Sequence, residues 1–175
     1  MQWFSLAQLV GYVAFVVSAA AFLQKSDRGL KLLLFVQGIV YGAHFLLLGN
    51  LPAAASAGLS GTRSLAAVKT RSTWVAIVFV ILSLAVGFAF AGRGFGWLVV
   101  IASVAGTLAM FMLNGIPLRL VLLGGTILWL TNDIFSHSIG GTALETMIAV
   151  VNLSTIIRMV REPEAAPSGL AAEAD

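Results

Sequence analysis

No cysteine occurs in this chain, and only 10% of its 175 residues carry a charge. The first absence removes disulfides, thiolate metal sites and cysteine nucleophiles together. The second removes a soluble globule. With 59% hydrophobic residues and a mean hydropathy of +1.01, too little polar side chain is left to cover a water-facing surface. Histidine is scarce as well, and two such residues with no cysteine leave a transition metal short of ligands. Catalytic signatures are missing too. There is no Gly-Lys-Ser phosphate loop, no His-Glu-x-x-His pair and no Gly-x-Ser-x-Gly elbow, since Leu59-Ser60-Gly61 lacks the flanking pattern. The expectation is a protein that is not an enzyme, holds no cofactor and offers no basic patch to nucleic acid.

What fills the chain instead is apolar sequence. A hydrocarbon core of about 30 Å needs roughly 20 such residues in a helix, because lipid cannot satisfy an open backbone. Seven stretches fit: Trp3 to Leu23, Lys31 to Leu48, Leu51 to Lys69, Thr73 to Gly92, Trp97 to Asn114, Leu118 to Ser136 and Ile139 to Val160. The third is the least apolar, built from Ala, Gly and Ser. The first could pass for a secretory signal because Ala19, Ala20 and Ala21 resemble a cleavage site. No Lys or Arg precedes it, however, and its apolar run is long, so a retained helix is expected.

Basic residues collect at every second junction. Lys25, Arg28, Lys31, Lys69, Arg71, Arg119, Arg158 and Arg161 fall on one side, Arg93 on the other, and Arg63 inside the third stretch. The positive-inside rule then puts the N-terminus outside and the C-terminus in the cytoplasm. Trp3, Trp74 and Trp97 sit at stretch ends, where indoles favour the headgroup level, whereas Trp129 does not. Residues 162–175 are short, acidic and proline-bearing, as in a disordered cytoplasmic tail.

An ungapped offset of 88 sets Gly29-Leu-Lys-Leu beside Pro117-Leu-Arg-Leu, Ile39 beside Ile127, Tyr41 beside Trp129, His44 beside Asn132, and Leu51-Pro-Ala beside Ile139-Gly-Gly. Identities are few and mostly Leu or Ile. The polar register is the signal: a basic residue, an aromatic, a polar side chain and a small-residue turn recur in order. The expected fold is an all-α membrane protein of seven transmembrane helices, in which two three-helix repeats are joined by a linker helix. Its single membrane domain spans 1–161, with triplets at 1–72 and 95–161 and the linker at 73–92.

Several segments carry a family resemblance. Ala7-Gln-Leu-Val-Gly-Tyr-Val-Ala-Phe15, His44-Phe-Leu-Leu-Leu-Gly49 with Pro52-Ala-Ala-Ala-Ser-Ala57, Arg63, Arg71-Ser-Thr-Trp74, Ser138-Ile-Gly-Gly-Thr142, Glu145 and Ile156-Ile-Arg158 resemble the YgjV-type bacterial inner membrane proteins. The resemblance covers all but the tail and implies an inner-membrane location. The three-plus-one-plus-three layout is similar to that of SWEET sugar transporters and, in topology, of PnuC-type vitamin transporters. Those families place aromatic and Asn side chains around a central substrate, and Trp129-Leu-Thr-Asn132 is similar in chemistry.

Polar residues within apolar stretches must face protein or water. Glu145 lies about 9 Å into the seventh stretch from its outer end and Arg63 about 18 Å into the third. Depth groups Glu145 with His44, Asn132 and Asp133, and a carboxylate beside a His suits proton coupling or cation binding. Hydrogen bonding of Glu145 to a hydroxyl, with His44 capping a helix end, is the structural alternative. Arg63 either neutralises an anionic solute or snorkels to the headgroups. Asn152 aligns with Ser64 at the same offset and suits either a central site or helix packing. Asp133 and His137 are expected at a solvated outer mouth. Small residues at Ala53, Ala57, Gly61 and at Ala54, Gly58, Thr62 signal close helix packing.

The functional expectation is a small-solute transporter or facilitator lined by Trp129, Asn132, His44, Glu145, Asn152 and Arg63. The alternative is a non-transporting membrane subunit or regulator whose buried polar groups only fix helix packing. Partners to expect are the lipid bilayer and a small polar solute, with a homo-oligomer left open.

Overall fold

The computed structural model describes residues 5–49, 51–90, 96–135 and 139–161. Over these the chain forms seven helices: α1 (Leu6–Leu23), α2 (Asp27–Leu47), α3 (Leu51–Lys69), α4 (Thr73–Phe90), α5 (Gly96–Met112), α6 (Gly115–Phe135) and α7 (Ile139–Arg161). Trp3, Arg93, His137 and the tail at 162–175 lie outside the described residues, as does the side chain of Asp133. Four helical stretches are long and apolar enough to cross a membrane: Leu6–Leu23, Asp27–Leu47, Gly115–Asn132 and Thr142–Arg161. Thr73–Ala89 and Trp97–Met112 are apolar but shorter.

Helix starts follow capping chemistry more closely than the onset of apolar sequence. α2 begins at Asp27, ahead of the expected Lys31, because the extended Ser26 accepts the Gly29 N–H at 3.1 Å through its hydroxyl. Asp27 then places a negative charge on the positive end of the helix. α6 likewise begins before the expected Leu118, at Gly115. That residue has φ +58°, a left-handed conformation that glycine adopts without a Cβ clash.

Neighbour contacts run α1–α2–α3 and α5–α6–α7, with α7 returning to α1 and α3 meeting α5. Six helices therefore close into a ring, and α4 packs against α3 and α5. One end of this bundle carries the α1–α2, α3–α4 and α5–α6 connections and is called the Asp27 end. The other carries the N-termini of α3 and α7 and is called the Glu145 end.

Burial is inverted relative to a water-soluble bundle. Many of the buried apolar positions are alanines, including Ala14, Ala21, Ala67, Ala76 and Ala109, whereas Val16, Leu46, Ile81, Phe88 and Val150 point outward. A bilayer produces this pattern: tails are as apolar as Leu, so helix association relies on close approach of small residues. The α2–α3 pair shows how close. A Cβ added to Gly38 would stand 2.5 Å from the Gly61 Cα and 2.8 Å from the Ala57 carbonyl oxygen, so the backbones touch through the expected small-residue face. Larger buried side chains gather toward the Asp27 end, where Phe22, Leu30, Met110, Phe111 and Leu118 form one cluster.

Candidate functional site

A cavity of about 630 Å³ lies inside the bundle, and all seven helices contribute to its wall. Phe22 and Met110 bound it toward the Asp27 end. Both sit near the C-terminal ends of helices that run toward that end, and helical side chains lean back toward the N-terminus, so each projects into the space as a floor. Toward the opposite end the wall includes Phe45, Ser56, Asn132 and Glu145. Polar groups interrupt an otherwise apolar lining, chiefly Gln37, Tyr41, Ser60, Arg63, Ser103 and Thr126.

Of the six expected lining residues, the fold brings Arg63, Trp129, Asn132 and Glu145 to this cavity. His44 and Asn152 are held elsewhere. His44 Nδ1 lies 2.7 Å from the Ala7 carbonyl, which can only accept, so Nδ1 carries the proton and ties α2 to α1. The ring also sits over Gly11, where an added Cβ would come within 2.9 Å of it, and stacks on Tyr41 at 5.7 Å. Of the expected pair of His44 and Glu145, Glu145 lines the cavity and His44 is spent on the α1–α2 contact. Asn152 is fully buried and donates Nδ2 to the Arg119 carbonyl at 3.0 Å, joining α7 to α6.

Arg63 does not snorkel along α3. Its Nη1 donates to the Ser103 carbonyl at 3.0 Å and to the Thr107 hydroxyl at 2.9 Å on α5, and Nη2 donates to the Ser60 hydroxyl at 2.9 Å. Thr107 is fully buried and itself donates to Ser103 O at 2.7 Å, which fixes its hydroxyl as an acceptor for the guanidinium. These acceptors are all neutral. A guanidinium held by neutral oxygens at the seam between α3 and α5 keeps its full charge on the cavity wall.

The Asp27 end is closed differently. The Gly115 N–H donates to Asp27 Oδ2 at 2.6 Å, and Arg119 Nη2 lies 3.8 Å from Asp27 Oδ1. Arg119 is fully buried and reaches the Lys25 and Ser26 carbonyls at 3.3 and 3.5 Å, so the start of α6 grips the α1–α2 connection. Arg71 donates to Asn114 Oδ1 at 2.7 Å from the α3–α4 connection. On the α7–α1 seam, Thr155 donates to Phe22 O at 2.7 Å and Arg158 to Leu23 O at 2.7 Å. Lys31, only 4% exposed, donates to Ala67 O at 3.4 Å. Lys31 and Arg119, which sequence reading placed among the orientation charges, are thus interior ties.

Comparison with known proteins adds the family. The model of the Imp-YgjV family, described as bacterial inner membrane protein, matches residues 5–163. The chain belongs to the Imp-YgjV family. It is 37% identical over 156 residues to the inner membrane protein YgjV of Escherichia coli (strain K12), covering 89% of this chain and 85% of that relative. No solved structure matches. As an Imp-YgjV protein with several apolar helices it is a multi-pass protein of the bacterial inner membrane.

Two groups of residues in this Imp-YgjV chain escaped sequence reasoning. Tyr41, Gln37, Ser60, Ser103 and Thr126 line the cavity, and of these only Tyr41 had a signal, its alignment with Trp129. Asp27, flanked by Lys25 and Arg28, reads as one more solvated loop charge. Its role as the acceptor joining two helix starts is not legible in local sequence.

Proposed function

We propose that this protein is a small-solute transporter or facilitator, with all seven helices crossing the membrane as two three-helix units joined by α4. The observation that carries the reading is the cavity: a space of about 630 Å³ between the two units, walled by every helix and bearing Arg63 and Glu145. Membrane proteins seldom keep charged groups facing an interior space unless something polar enters it.

The two-unit arrangement draws support from helix boundaries. α2 and α6 run Asp27–Leu47 and Gly115–Phe135, and α3 and α7 begin at Leu51 and Ile139, each pair displaced by the same 88 residues. The contacts that close the ring, α7 to α1 and α3 to α5, exchange with one another under that correspondence. Asp27 and Gly115 are themselves 88 residues apart and hydrogen-bonded. Corresponding positions of two related units touch where the pseudo-symmetry axis passes between them. Parallel units joined by one helix, with a site on their shared axis, are a recurrent transporter plan.

In this reading the Asp27 end faces the cytoplasm, since exposed Lys25, Arg28, Lys69, Arg71 and Arg161 all lie there. The cross-unit ties would close that side while the cavity communicates with the other, and rocking of the units would exchange the two.

The absence of cysteine makes the test clean. Asn132→Cys and Ser103→Cys, introduced singly, should react with a membrane-impermeant thiol reagent applied from outside, whereas Leu30→Cys should not. Uptake into proteoliposomes by the parent and Glu145→Gln then reads flux. Protected cavity positions with no flux of any solute would overturn the reading and favour the non-transporting subunit.

A further inference from the structure

The outer face of α7 carries a depression of about 420 Å³ that shares no lining residue with the central cavity. Val150, Leu153, Ser154, Ile157, Arg158 and Arg161 line it. These positions recur at intervals of three and four, so they form one stripe along the helix. Val150, Leu153 and Ile157 are 63%, 48% and 43% exposed, which leaves the stripe facing lipid.

Its length fits one leaflet. Val150 and Arg161 are separated by about 16 Å at the helical rise, and half of a 30 Å hydrocarbon core is about 15 Å. The membrane-crossing stretch Thr142–Arg161 ends on Arg161 itself. Both arginines therefore stand at headgroup level, with Val150 near the middle of the bilayer.

Charge distinguishes this stripe from a bare lipid-facing surface. Arg158 is anchored, since its Nη2 donates to Leu23 O at 2.7 Å and to the Thr155 hydroxyl at 3.1 Å. Those bonds use both Nη2 protons, while Nη1 donates to no described residue. Arg161 lies one turn farther on, is exposed and forms no ion pair with a described residue. Exposed Lys25, two residues beyond the carbonyl that Arg158 holds, adds a third positive charge to this edge. Asp27, on the same connection, is engaged by the Gly115 N–H and faces Arg119.

Two guanidiniums one turn apart match the oxygens of a phosphodiester. A free anion would use only the arginines, whereas a phospholipid also lays a chain on the apolar stripe below them. An ethanolamine ammonium would bring positive charge to an edge that already holds three, so an anionic headgroup is favoured.

We propose that the outer face of α7 binds an anionic phospholipid, with its phosphodiester on Arg158 and Arg161 and one acyl chain along Ile157, Leu153 and Val150. Such a lipid braces the α7–α1 seam, because Arg158 already holds the end of α1. The binding does not require that the central cavity take a solute.

The full chain in detergent is titrated with phosphatidylglycerol and phosphatidylethanolamine, and bound lipid is counted by native mass spectrometry. Phosphatidylglycerol should be retained more strongly. Arg161→Gln should weaken it about fivefold at an unchanged melting temperature. Arg158→Gln should weaken it at least as much and also lower the melting temperature, since the bond to Leu23 O is lost. Leu153→Trp, which fills the depression, should weaken it with no change of charge. Lys69→Gln removes an exposed basic residue of the same end, away from the stripe, and should leave lipid binding unchanged. Equal losses in Lys69→Gln and Arg161→Gln would reveal only a diffuse positive surface and overturn the site, as would equal retention of the two lipids. Displacement of phosphatidylglycerol by millimolar inorganic phosphate would mark a free-anion site and overturn the lipid assignment. Glu162 and Glu164 directly follow Arg161. Lipid binding indifferent to Arg161→Gln would mean that this arginine is neutralised in the full chain, and the proposal would fall.

Discussion

The two ends of this bundle solve the same physical problem in opposite ways. At the Asp27 end, charged and polar side chains are spent on backbone carbonyls and one carboxylate of neighbouring helices: Arg119 on the α1–α2 connection, Thr155 and Arg158 on the end of α1, Lys31 on α3. Between them lies the apolar cluster of Phe22, Leu30, Met110, Phe111 and Leu118. Toward the other end, His44 makes one such tie to Ala7, while Asn132 and Glu145 line a cavity. The lesson is that a polar residue in a membrane helix ties the bundle where its partners are backbone atoms of the next helix, and is a site candidate where it lines the cavity. Arg63 combines the two, lining the cavity while three of its donors are spent on Ser103, Thr107 and Ser60 and its buried Nε meets no acceptor among the described residues.

If that contrast is sound, substitutions at the two ends should differ in kind. The largest effect is expected for Arg119→Leu, which removes the guanidinium 3.8 Å from Asp27 and releases the α1–α2 connection. Losing the buried guanidinium's bonds to the Lys25 and Ser26 carbonyls together with its attraction to a half-buried carboxylate should lower the melting temperature of the purified protein more than any other single change named here. Adding Asp27→Asn should recover part of that loss, since the charge that Arg119 balanced is then removed while an amide oxygen can still accept the Gly115 N–H. A single variant that melts with the parent would dissolve the distinction between the ends.

Gly38→Ala comes next. It tests the α2–α3 contact, where the new Cβ would meet Gly61 Cα at 2.5 Å. Overpacking of this sort costs about 1–3 kcal/mol, visible as a lower melting temperature with cavity-cysteine reactivity altered through the moved α3. Thr155→Val should cost about 1 kcal/mol by removing the bond to Phe22 O, measurable as a small melting shift. Asn132→Ala, on the cavity wall, should stay within about 0.5 kcal/mol of the parent while changing solute binding. A large stability loss there would mean that the cavity wall, too, is built for packing.

Legibility in the sequence divided along the same line. Seven helices were expected and seven are formed among the described residues, because each apolar run carries its own length and period. Boundaries moved where a cap overruled hydropathy, as at Ser26 and Asp27. Arg63, Asn132 and Glu145 stood out as polar residues within apolar stretches and Trp129 by its alignment with Tyr41, and all four line one cavity. His44 and Asn132 occupy matched positions at the offset of 88, yet one is bonded to Ala7 O and the other lines the cavity.

Composition and periodicity alone therefore determined that this is a helical membrane protein and which few polar residues had to be explained. Those properties depend on neighbours three or four residues apart, which any sequence displays. Which polar groups would tie neighbouring helices and which would line the cavity was decided by contacts between residues far apart in the chain: His44 with Ala7, Arg63 with Ser103, Asp27 with Gly115, Thr155 with Phe22. A hydrogen-bond donor is neutralised only by the acceptor that reaches it, and the acceptors here are carbonyls common to every residue. No residue type marks them, so only the packing of the seven helices could say where they lie.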